Sequence, residues 1–179
     1  MAHPWHDVEP GSKVPELVNA VIEVPKDSKL KYELDKKSGL MKLDRALYSA
    51  VHYPGDYGFI PQTYWDDGDP LDIIIISNFP VYPGTIVQAR PIGLIDMYDG
   101  KERDDKIIAV HATDPRFDRY TTVKDVPSHM LLEIKHFFET YKELQNKKVR
   151  VLSIKGLPQA KKCIVRGLKL YRQKFQKGK

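Results

Sequence analysis

The chain has 179 residues, with 29 Lys+Arg against 24 Asp+Glu and a formal net charge of +5. Hydrophobic residues make up 41% and charged residues 30%, ordinary globular usage that excludes collagen, a coiled coil and wholesale disorder. This length buries one core without staples and is short for two. A single domain over 1–179 is therefore expected, with 173–179, rich in Lys and Gly, as a frayed tail. A lone cysteine, Cys163, excludes an intramolecular disulfide and any Cys-based zinc cluster, and is expected to pack in the core. Met1 to Ala20 holds no apolar stretch of leader type, and the longest aliphatic run, Ile73–Ile76, is far too short for a bilayer. A soluble, cytoplasmic protein with no membrane partner is expected.

The front two-thirds reads as short strands punctuated by Pro and Gly. In order these are Asn19–Val24, Leu30–Leu34, Leu40–Asp44, Asp72–Ile76, Thr85–Arg90, Gly93–Met97 and Lys106–Val110. The gap 35–39 has hairpin length. The β-branched run at 72–76 lacks alternation, as a strand buried on both faces does. Tyr53–Gly58 reads as a glycine-bent loop. A helix is expected from an N-cap at Ser128 to Leu144, with Leu131, Ile134, Phe138 and Tyr141 on one face. After a strand at Val149–Ile154, a second helix carries the stripe Ala160, Ile164, Leu168, Tyr171 and Phe175. The expected class is α+β: a small closed β-barrel with two helices packed outside it.

The densest chemistry lies in Asp66-Asp67-Gly68-Asp69-Pro70-Leu71-Asp72, four carboxylates within seven residues. Gly68 and Pro70 bend and stiffen the loop, so the acids are expected to converge on a hard cation that takes oxygen ligands. An acidic turn is the plain alternative. An EF-hand fails in both registers: starting at Asp67 puts Asp72 where glycine is required, and starting at Asp66 puts Gly68 at a ligand position. A second acidic stretch holds Asp96, Asp99, Glu102, Asp104 and Asp105. Cations and phenols are interleaved with these acids. Lys31 and Glu33 share one face of a strand, and Arg45, Tyr57, Lys106, Tyr141 and Lys142 follow. Acids alone bind metal and bases alone bind phosphate; both together suit a polyanion presented as its metal complex.

At this point the chain resembles the soluble inorganic pyrophosphatases of the first family. Asp67-Gly68-Asp69-Pro70-Leu71-Asp72-Ile73 is similar to their diagnostic motif. Further matches run in order through Glu23-Val24-Pro25, Lys31-Tyr32-Glu33, Asp44-Arg45, Tyr53-Pro54, Tyr57-Gly58, Arg90-Pro91-Ile92-Gly93, Asp99, Asp104-Asp105-Lys106 and Tyr141-Lys142. The likeness extends from about Trp5 to Lys169, and the Trp5-His6-Asp7 opening resembles the bacterial and archaeal branch.

The resemblance implies an OB-like five-stranded barrel and hydrolysis of pyrophosphate to two phosphates with several Mg²⁺ ions, Mn²⁺ or other divalent ions being alternatives. It implies Asp67, Asp72 and Asp104 at a first metal, with Asp72 bridging to a second. Asp99 and Asp104 would take a third, and Glu33 would contribute to one arriving with substrate. Asp69 would be the base for the attacking water. Lys31, Arg45, Tyr57, Lys106, Tyr141 and Lys142 would hold phosphate oxygens, and Glu23 would be a supporting acid. A homohexamer is implied as well, with His136 at a subunit contact. Asp104 is preferred to Asp105 on its spacing from Asp99 and Lys106.

Gly100, where many members carry a second acid, and His111-Ala112-Thr113 depart from the family pattern without removing an expected ligand. A nucleic-acid-binding barrel is the competing reading. The acid clusters oppose it, because they repel a phosphate backbone, and no nucleic-acid partner is expected.

Overall fold

The computed structural model describes residues 2–176. Among the described residues nine strands and two helices follow one another. They are β1 (Val18–Val24), β2 (Leu30–Leu34), β3 (Met41–Ala46), β4 (Asp56–Phe59), β5 (Asp72–Ile76), β6 (Ile86–Asp99), β7 (Glu102–Arg103), β8 (Lys106–His111), α1 (Ser128–Thr140), β9 (Val149–Gly156) and α2 (Leu157–Phe175). The α+β class and both helices are as expected. The main sheet is mixed and runs β1-β4-β5-β8-β6-β7, with β9 on β6 and β1 pairing β6 as well as β4. The pair β5–β8 is parallel, and the others are antiparallel. β2 and β3 form a separate hairpin joined by a six-residue turn, 35–40, one residue longer than the expected gap because β3 begins at Met41.

Several boundaries differ from the sequence reading, each for a local reason. The segment read as a loop at Tyr53–Gly58 runs into β4 from Asp56 on, and the four residues of that strand are all buried. Gly58 belongs there because β1 passes against it: a Cβ would stand 1.9 Å from the Val21 carbonyl oxygen. The two strands expected at 85–90 and 93–97 are one 14-residue strand, β6, and Pro91 sits at a register shift between Pro91 and Gly93. Ser128 is the first residue of α1, not its cap; Pro127 takes the cap position, and the helix ends at Thr140. Leu144 falls in a short 3₁₀ turn, Glu143–Gln145, and is exposed. α2 runs through Phe175, three residues into the segment expected to fray, and 177–179 lie outside the described residues. Within its stripe Ala160, Ile164 and Tyr171 are buried, joined by Cys163 and Gly167, while Phe175 is exposed.

The unbroken isoleucine run of β5 is explained by two cores. Ile74 and Ile76 pack in a cluster with Ile134, Phe137 and Phe138 of α1. Ile73 and Ile75 pack in another with Ala160, Cys163 and Ile164 of α2. β8 divides in the same way, Ile108 and Val110 joining the first cluster and Ile107 and Ala109 the second. Side chains alternate along a strand, so each residue's parity decides which core it joins. The polar residues that open these strands inherit the same rule.

Candidate active site

Asp72 and Lys106 begin β5 and β8 and stand opposite each other in the parallel register. Both share the parity of Ile74 and Ile108, so both project on the α1 side. Lys106 is buried, and its Nζ lies 2.6 Å from Asp72 Oδ2, 2.8 Å from Asp104 Oδ1 and 3.1 Å from Tyr57 Oη. The rings of Tyr57 and Phe138 flank the ammonium at 5.4 and 5.5 Å. Burial alone would drive its proton off. The carboxylates of Asp104 and Asp72 reverse this and hold the ammonium well above its ordinary pKa. The Tyr57 hydroxyl, buried and pushed up in pKa, donates to Asp72.

The acidic loop meets this centre from one side. Gly68 takes φ +88°, in the left-handed region that a side chain disfavours. Asp67 Oδ1 accepts from the Asp69 backbone N–H at 3.0 Å, closing a tight turn. Burial first, and then the charge of Asp72, push the Asp67 carboxyl up to about 7. Burial does the same to Asp104, whose carboxyl is raised although Lys106 opposes it. Asp66 behaves otherwise. Its carboxylate turns away onto Arg166 of α2, at 2.6 and 3.0 Å, so the expected convergence of all four acids is corrected to three.

The hairpin supplies the facing wall. Lys31 and Arg45 are cross-strand partners. Lys31 pairs with Glu33, and with Asp44 at 3.4 Å. Arg45 pairs with Asp44, and its Nε and second terminal nitrogen are buried without a partner. Asp99 at the end of β6 pairs with Lys142, which follows α1. Tyr141 caps that helix and is buried, its hydroxyl pushed up in pKa. Glu23 on β1 is buried, accepts from the Leu34 N–H at 2.7 Å, and is pushed up to about 8 by burial first and the Asp72 charge next.

One cleft of about 300 Å³ gathers these groups. Glu23, Lys31, Glu33, Tyr57, Asp67, Asp69, Asp72, Asp99, Asp104, Lys106, Tyr141 and Lys142 all line it; Arg45, the cross-strand partner of Lys31, is not among the lining residues. Glu102, named in the second acidic stretch but given no role, lines the cleft as well, and the sequence reading missed Lys36, whose ammonium pairs with Asp69. Nothing in the spacing marks Lys36, because its reach depends on where the hairpin turn sits. Asp96 and Asp105 lie outside the cleft. Asp96 pairs with Arg103 and Lys155, and Asp105 with Arg103 at 2.7 Å.

The donor set suits hard divalent cations. The candidate ligands offer carboxylate oxygen only; burial first, with the Asp72 charge adding to it, raises the carboxyl groups of Asp67 and Asp104, a cost to their charged forms that such an ion relieves. Among the described residues no three of these acids form a ready-made cage. Asp72, Asp104, Asp69 and Asp99 are instead drawn onto lysine ammonium groups.

Comparison with known proteins agrees with this geometry. Residues 20–172 match the family model described as inorganic pyrophosphatase. The chain is 48% identical over 174 residues to soluble inorganic pyrophosphatase 2 of Chlamydomonas reinhardtii, covering 97% of this chain and 91% of that protein. It is 50% identical over 170 residues to soluble inorganic pyrophosphatase 1 of Arabidopsis thaliana, covering 95% and 80%. Among solved structures, the inorganic pyrophosphatase from Thermus thermophilus superposes with a TM-score of 0.92 at 44% identity, covering 96% of this chain and 99% of that one.

Proposed function

The chain belongs to the inorganic pyrophosphatase family, and from that premise we propose how its cleft performs the reaction. The protein is an inorganic diphosphatase that hydrolyses pyrophosphate to two orthophosphates. The observation that carries the proposal is the presence of carboxylates and ammonium groups of one cleft within direct reach of each other.

The residues fit divalent metal, and Mg²⁺ suits an all-oxygen, carboxylate-rich set. Asp67, Asp72 and Asp104 would hold a first ion, with Asp72 shared by a second. Asp99 and Asp104 would hold a third, and Glu33 would contribute to one accompanying the substrate. Bound there, such ions neutralise phosphate charge and make a coordinated water far more acidic than bulk water.

The remaining roles belong to side chains. Asp69 is half-exposed at the cleft wall and accepts the proton of the attacking water. Lys31, Lys142 and Arg45 hold phosphate oxygens; the two unpartnered nitrogens of Arg45 suit a planar fork on such a group. Lys106, with its proton secured by two carboxylates, offsets charge developing on the leaving phosphate. Tyr57 and Tyr141 keep their hydroxyl protons and donate. Glu23 supports the wall between β1 and the hairpin.

The fold proposal is an OB-like closed barrel of β1, β4, β5, β8 and β6, supported by the pairing of β1 with both β4 and β6. A single domain, a homohexamer and a cytoplasmic location complete the reading. The first is supported by the family match over 20–172, the second by the family resemblance, and the third by one free, buried cysteine. Among the described residues no helix is long and apolar enough to cross a membrane. The test is phosphate release from pyrophosphate with Mg²⁺ and then excess EDTA. Fast release abolished by chelation supports the reading, and release that survives chelation overturns the metal roles. Sedimentation velocity reads the subunit count.

A further inference from the structure

The Asp69 carboxylate has one cationic partner within ion-pair distance among the described residues, and it is Lys36, from the turn between β2 and β3. The other lysines of the cleft lie on strands or after α1 and are mostly buried, whereas the Lys36 side chain is half-exposed at the mouth. Its backbone is fixed in place. Asp35 Oδ1 accepts from the N–H groups of Lys37 and Ser38 at 2.9 and 3.0 Å, and His3 Nε2 donates to the Lys36 carbonyl at 3.0 Å. From this anchored turn the ammonium reaches across to Asp69 and approaches the Gly68 carbonyl oxygen at 3.5 Å. The backbone of Asp69 is also held, its N–H by Asp67 Oδ1 and its carbonyl by the Trp65 N–H at 2.8 Å. What the loop itself leaves open is the direction of the Asp69 carboxylate.

We propose that Lys36 is a positioning residue for the hydrolytic reaction: it tethers the hairpin turn to the acidic loop and orients the Asp69 carboxylate toward the attacking water. The inference rests on the reading of Asp69 as proton acceptor. Without the tether, Asp69 is free to swing among the cations of the cleft, and the fraction of molecules with the base in place falls. The pair is half-exposed, so the bias it imposes is about two- to fivefold. Substrate binding is left to Lys31, Arg45 and Lys142, so Lys36 acts on turnover and not on affinity.

The test compares Lys36→Met, which keeps length and removes charge, with Lys36→Arg, using steady-state phosphate release with saturating Mg²⁺. Expected is a fall in kcat of about two- to fivefold for Lys36→Met with KM little changed, and recovery in Lys36→Arg. A urea midpoint equal to that of the parent shows that the fold is intact. In an Asp69→Asn background, Lys36→Met is expected to lower the residual kcat no further. A rise in KM at constant kcat would make Lys36 a direct substrate contact and overturn the proposal, as would unchanged kinetics or an equal fall in the Asp69→Asn background. Near-parental turnover of Asp69→Asn alone is a different failure, that of the base assignment on which the proposal stands.

Discussion

Asp104 and Asp105 are neighbours in the chain, yet they face opposite cores. Asp104 lies 2.8 Å from Lys106 Nζ and lines the cleft on the α1 side. Asp105 shares the parity of Ile107, points to the α2 side, and is clamped by Arg103 at 2.7 Å and the Met97 N–H at 3.3 Å. The two asparagine variants should therefore fail in different assays. Asp104→Asn is expected to lower kcat on the order of 100-fold, as loss of a preorganised charge at a reacting centre does. Asp105→Asn is expected to keep turnover and lose about 1–3 kcal/mol of stability in urea denaturation.

Asp69→Asn should lower turnover by about 10²- to 10⁴-fold, the range supplied by a general base. Metal binding measured by calorimetry should be largely retained, because Asp67, Asp72 and Asp104 are untouched. Turnover close to that of the parent would remove Asp69 from its role.

Asp56 gives the acid limb of stability a source outside the cleft. It is fully buried, accepts from the Lys26 and Val81 N–H groups at 2.9 Å each, and faces His111 Nε2 at 3.4 Å. Burial alone raises its pKa, but the hydrogen bonds from His111 and the two backbone groups outweigh it and hold the carboxyl below its ordinary value. A depressed folded pKa stabilises above the unfolded value, about 3.9, and that stability is lost as pH falls through the folded pKa. Asp56→Asn is expected to cost about 1–3 kcal/mol at neutral pH. The gap between parent and variant should close as pH is lowered below about 3.9 in urea titrations.

Gly58→Ala tests the close passage of β1 over β4. The added methyl would stand 1.9 Å from a backbone oxygen, so one strand must move. Tyr57, the residue before it, then leaves Asp72. Expected are a loss of more than about 3 kcal/mol in stability, as for severe overpacking, and a parallel loss of activity in whatever folds.

The sequence made the chemistry of the cleft readable because metal and phosphate sites need many charges, and clustered charges stand out against ordinary surface. It did not show which charges turn away. Asp66 and Asp96 satisfy themselves on Arg166, Arg103 and Lys155; Arg166 and Lys155 come from elements far along the chain, and Arg103 from the strand that folds back on β6. Lys36 was missed for the same reason. β4 was hidden because Tyr-Pro-Gly and a second glycine read as turn, whereas here the missing side chain lets two strands touch. The break expected before Gly93 was absent because β6 accommodates Pro91 at a register shift and continues. By contrast, the apolar run of β5 was legible, since burial on both faces demands it.

The parallel pairing that sets Asp72 beside Lys106 has an outcome for refolding. Slipping β8 by one residue along β5, so that Lys106 takes the place of Ile107, would carry it to the α2 side and strand its ammonium among aliphatic groups, with Asp105 entering the cleft in place of Lys106. A misaligned molecule could keep its strands and still be inert. Units of activity per milligram of refolded protein would thus count the correctly threaded molecules, a quantity that circular dichroism cannot separate from the rest.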